Sequence, residues 1–93
     1  MPAMNRITVS AILATPPLHH FTFVQALSLH KVDSVSLTDS RTPSGPRVEA
    51  TGYYALNADP LIPHEIATAL ANELGVPVRY VVDQVVTDVV NPA

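Results

Sequence analysis

The sequence predicts an α+β fold, in which a four-stranded antiparallel sheet carries two helices on one face. Three observations lead there. Four segments alternate apolar and polar residues with period two, two segments place apolar residues at helical spacing, and they run in the order β-α-β-β-α-β. Strand–helix–strand crossovers are right-handed, so both helices fall on the same side of one sheet.

The first strand is read from Ile7, Val9, Ala11 and Leu13, which alternate with Arg6, Thr8, Ser10 and Ile12. Residues 1–5 are expected to be a loose start. Thr15-Pro16-Pro17 ends the strand, because two prolines cannot both serve a central ladder. Phe23, Ala26, Leu27 and His30, widened by Val24, predict a helix from about Leu18 to His30, opened by His19 or His20. Phe21, Thr22 and Leu29 fit that stripe less well.

Val32 to Thr38 reads as the second strand and Arg47 to Leu56 as the third. On the third, Val48, Ala50, Gly52, Tyr54 and Leu56 take one face. The polar stretch Asp39 to Pro46 predicts a hairpin with a long tip. The second helix rests on Ile62, Ile66, Ala69, Leu70 and Leu74. It begins either with Asp59 as cap and Pro60 next, or with Pro63 as the first helical residue. Gly75 stops it in a left-handed conformation and Pro77 prevents it from resuming. Val78, Tyr80 and Val82 then alternate with Arg79, Val81 and Asp83 as the fourth strand. Gln84 to Ala93 is read as a Val-rich tail. The whole is the ferredoxin-like arrangement, with expected strand order 4-1-3-2. The 93 residues suit one domain, with a core over about 6–83 and the tail at 84–93.

Composition narrows the function. A formal charge of −3 with five basic residues argues against nucleic acid. No apolar run approaches the roughly 18–20 residues of a membrane span, and a soluble cytoplasmic protein is expected. The chain has no Cys, which removes disulfides, thiolate metal sites and a Cys nucleophile. No cofactor is expected, since three glycines leave no phosphate-cradling loop, and no Gly-x-Ser-x-Gly elbow surrounds any Ser. His19 and His20 point about 100° apart on a helix, and His30 stands about 15 Å further along it, so a metal site is not expected. Asp39, Arg41 and Glu49 read as a solvated hairpin tip. The reverse of the sheet would show Thr8, Ser10, Ile12, Thr51, Tyr53, Ala55, Arg79 and Val81, a mixed face that predicts association with another copy, another domain or a ligand.

Two stretches, Ala58-Asp59-Pro60 and Glu73-Leu74-Gly75-Val76-Pro77-Val78, together with the element order and Pro17-Leu18 after the first strand, resemble an ACT domain. Within that group the chain is most similar to the regulatory ACT modules of bacterial phosphoserine phosphatases, over about residues 6–84. The resemblance implies a non-enzymatic regulatory domain of serine biosynthesis that binds an amino acid and forms a homodimer. Its ligand would lie at the turn Thr15, Pro16, Pro17, Leu18, His19 and His20, with backbone amides at the helix start holding the carboxylate. This turn lacks the Asp and Gly of many amino-acid-binding members, and the chain carries no aspartate-nucleophile motif of the phosphatase domain. Two other readings stand beside it. One is a small dimeric ferredoxin-like enzyme with a pocket between helices and sheet, using His20, His30, Tyr54 and Tyr80. The other is a structural subunit that docks through its tail.

Overall fold

The computed structural model describes residues 3–13 and 19–86. Four strands, β1 (Ala3–Ile12), β2 (Asp33–Thr42), β3 (Gly45–Tyr54) and β4 (Arg79–Val86), form one antiparallel sheet in the order β2-β3-β1-β4. This is the expected order read from the other edge. The helices α1 (His20–Leu29) and α2 (Ile62–Leu74) supply Phe23, Leu27, Ile66 and Leu70 to the core. Facing them are Ile7, Val9 and Ala11 of β1 and Val48, Ala50 and Tyr54 of β3. Among the described residues no polar or charged residue is buried, so the space between helices and sheet is filled by apolar side chains. The ferredoxin-like βαββαβ fold therefore follows from alternation in the strands and one apolar stripe on each helix.

Several boundaries differ from the sequence reading, each for a tertiary reason. β1 begins at Ala3, because Ala3, Met4 and Asn5 find partners in Val86, Val85 and Gln84 of β4. β4 correspondingly runs on to Val86, so the first residues of the expected tail are strand, while 87–93 lie outside the described residues. The long polar tip does not exist. β2 continues through Asp39, Ser40, Arg41 and Thr42, paired with Val48, Arg47, Pro46 and Gly45. Only Pro43 and Ser44 separate the strands. The Thr42 hydroxyl replaces loop contacts there: it donates to the Gly45 carbonyl at 2.8 Å and accepts the Ser44 N–H at 3.2 Å. β3 ends at Tyr54, which leaves Ala55 and Leu56 outside the strand and Leu56 exposed.

The start of α2 falls between the two expected ones and one residue before the later, with Leu61 at the cap, Ile62 as the first helical residue and Pro63 as the second. Asp59 still serves the junction, accepting the Leu61 N–H at 2.9 Å. The buried face of α2 is Pro63, Ile66, Ala67 and Leu70, with Ala67 in the place expected for Ala69, which is exposed. Gly75 closes the helix at φ 69°, its N–H reaching the Ala71 carbonyl at 2.8 Å. At the far edge, β2 carries a bulge between Asp33 and Ser36, with Ser34 at φ 55°.

Candidate functional site

The two His of the expected ligand turn fall at the start of α1, and Thr15, Pro16, Pro17 and Leu18 lie outside the described residues. His19 is the cap residue, left-handed at φ 55°, exposed, and makes no side-chain cap bond. The His20 ring stands 2.7 Å (Nε2 to Oδ1) from Asp39, tying the helix start to the middle of β2. The long hairpin pairing created that contact, because it brings Asp39 out of a loop and into the strand beside Val48.

The other acid/base candidates are dispersed. His30 Nδ1 donates to the Ala26 carbonyl at 3.0 Å, and its Nε2 lies 4.0 Å from Glu65. Tyr54 is buried at the end of β3, where loss of water raises its phenol pKa. Tyr80 is 43% exposed on β4. No hydrogen bond joins any two of His20, His30, Tyr54 and Tyr80 among the described residues. Nor does any group of three His, Asp or Glu among them stand where it could hold a metal ion.

The reverse face of the sheet does bring groups together. Thr8, Ser10 and Ile12 of β1 lie beside Thr51, Glu49 and Arg47 of β3, and Thr8 and Ser10 beside Val81 and Arg79 of β4. The Thr8 and Thr51 hydroxyls are 3.3 Å apart. Arg6 makes a two-point bond to Asp83, Nε to Oδ1 at 3.2 Å and Nη2 to Oδ2 at 2.6 Å. That bond raises the Arg6 pKa above its ordinary value. Arg47 donates to Glu49 at 2.8 Å.

At one end of this face opens a hollow of about 530 Å³, lined by Ser10, Ala11, Ile12, Thr42, Arg47, Pro77 and Arg79. Sequence reading placed Arg79 on the reverse face and Arg47 at the start of the third strand, but it did not join them. Period-two alternation puts both side chains on one face, yet only the order β3-β1-β4 sets them on either side of Ile12 and Ser10.

The fourth strand has a second distinction. Val81 is 66% exposed, Val86 63% and Val82 37%, and β4 is an outer strand of the sheet. The opposite edge, β2, is short of apolar surface and carries Asp33, Asp39 and Arg41 beside its bulge. Charges and a bulge are devices that keep an edge from pairing, and β4 has fewer of them.

No family model matches the sequence, and no curated protein matches it. Solved structures do match. One is a Thermus thermophilus protein described as PII-like and signaling, with TM-score 0.64 at 15% identity, over 90% of this chain and 87% of that one. Another is the C-terminal domain of a cyclometallase involved in synthesis of the NPN cofactor of lactate racemase, in its apo form, with TM-score 0.58 at 18% identity. The match covers 90% of this chain and 58% of that one. These likenesses bear out the ferredoxin-like fold and do not single out the phosphoserine phosphatase modules.

Proposed function

We propose that the chain is a regulatory module that works by taking up a small ligand and by associating with a second copy or a partner domain, without chemistry of its own. The observation that carries this reading is the filled interior. The small-enzyme reading requires a pocket between helices and sheet with acid/base groups converging in it. Here that space is occupied by Phe23, Leu27, Ile66 and Leu70 against Ile7, Val9 and Val48. The hollow of about 530 Å³ lies at the end of the sheet and is lined by none of the four acid/base candidates.

The specific ligand we propose is an amino acid, on the resemblance carried by Ala58-Asp59-Pro60 and Glu73 to Val78, with the Thr15–His20 turn as its site. The signaling description of the Thermus thermophilus neighbour agrees with a regulatory assignment. For association we propose the β4 edge, as a symmetric strand pair between two copies. Calorimetry against serine and the other amino acids, together with the solution mass, tests the reading. Heat with one or a few amino acids and a dimer mass are expected. A monomer that responds to none of them defeats it.

A further inference from the structure

Two guanidinium groups share the hollow at the end of the sheet, and they differ in one respect. Arg47 is engaged by Glu49. Arg79 makes no ion pair with a described residue. Arg47 lies opposite Ile12 on β3, and Arg79 opposite Ser10 on β4. Strand spacing of about 4.8 Å and a rise of about 3.4 Å per residue put their Cα atoms roughly 12 Å apart, diagonally across β1. Each side chain reaches about half that distance. Both residues line the one hollow, so a small group within it can meet both. The hydroxyls of Ser10 and Thr42 line the same hollow, and Ile12 with Pro77 gives it an apolar wall. The chain is acidic overall, at −3, so Arg79, which has no acidic partner among the described residues, is a local reversal of sign.

We infer that this hollow binds a small oxyanion, a carboxylate or a phosphate group, held chiefly by Arg79 and completed by Arg47 and the Ser10 and Thr42 hydroxyls. A guanidinium presents two parallel N–H donors that match the two oxygens of such a group. Glu49 holds Arg47 until the anion arrives, so Arg79 makes the larger contribution. The inference rests on the small-ligand reading above and goes beyond it, because the anion site at the sheet end is separate from the Thr15–His20 turn.

The test uses the full chain, labelled with nitrogen-15 and titrated at fixed ionic strength with inorganic phosphate and, separately, with serine. Amide shifts concentrated at Ser10, Ile12, Thr42, Arg47 and Arg79 are expected with at least one of them. The arm that binds more tightly tells phosphate from carboxylate. Arg79→Gln should weaken that binding about tenfold or more, the scale of a lost charge-assisted contact. Arg79→Lys should restore part of it. Arg41→Gln removes the same charge on β2, where Arg41 does not line the hollow and strand alternation turns it to the face opposite Thr42, and should leave the affinity unchanged. Equal loss in Arg79→Gln and Arg41→Gln, or no shift with either anion, overturns the inference. Shifts confined to His19 and His20 with both anions also overturn it, while leaving the small-ligand reading intact.

Discussion

Gly52 of β3 lies against Val32, so close that a β-carbon on it would fall inside the closest approach to Val32 Cγ1. The same β-carbon would stand 3.2 Å from the Asp33 carbonyl oxygen and 3.4 Å from Val35 Cγ2. The approach lies beside the register shift at the start of β2, between Asp33 and Ser36. Val32 is itself buried and has little room to retreat. Gly52→Ala is therefore expected to destabilise the fold by about 1–3 kcal/mol, an overpacking cost, measured by urea unfolding.

Gly75 shows the opposite case. Nothing lies within 4 Å of a β-carbon there, but φ is 69°. Gly75→Ala should destabilise by about 1–2 kcal/mol through backbone strain alone. Gly75→Asn should recover part of the loss, because Asn tolerates the left-handed region and Ala does not. The same Asn change at Gly52 should be worse than Ala, since space is what limits that site. Unfolding midpoints of the four variants separate strain from crowding.

Leu70 is fully buried between α2 and the sheet, whereas Leu29 on α1 is 75% exposed. Leu70→Ala is expected to cost about 2–5 kcal/mol, the range for an aliphatic core truncation. Leu29→Ala should stay within about 0.5 kcal/mol of the parent. The pair checks, by thermal or urea unfolding, that both helices present the assigned face to the sheet.

Burial raises the Tyr54 pKa, so the folded chain holds the phenol proton to higher pH than the unfolded chain does. The stability linked to that proton is complete below the unfolded value of about 10 and is lost as pH rises through the folded value. Tyr54→Phe should flatten the alkaline fall in unfolding free energy above about pH 10 and leave the curve at about pH 7–9 parallel to the parent. Following stability from about pH 8 to about pH 11.5 reads this directly.

Val81→Lys places a charge on the exposed face of β4, where Val81 is 66% exposed. A lysine on an outer strand opposes strand pairing between copies. The expected result is a solution mass of one chain for Val81→Lys, against two for the parent, with the thermal midpoint of the isolated chain little changed. Sedimentation equilibrium measures both masses.

The expected ligand turn was legible only as a pattern of Pro and His after the first strand, and of its described residues His20 is engaged by Asp39. That pair could not be foreseen while Asp39 was assigned to a loop. The hollow was missed for a related reason. Arg47 and Arg79 are 32 positions apart in sequence and carry no motif, so only the placement of β1 between β3 and β4 joins them. The stripe on α2 was misread at Ala69 because Ala67 and Ala69 are equally small, and the helix's rotation on the sheet chose between them.

The number of elements, their order and the side each strand turns inward came from the sequence by itself. These are set by period-two and helical spacing and by stops such as Gly75, which act within a few residues. The tertiary structure alone decided how far each strand runs, how short the hairpin tip is and which side chains share a hollow. Those depend on hydrogen-bonding partners far along the chain: Ala3 becomes strand because Val86 is beside it, and Asp39 because Val48 is. A polar residue has no period of its own to announce such a partner, so its place in the sheet exists only once the partner strand arrives.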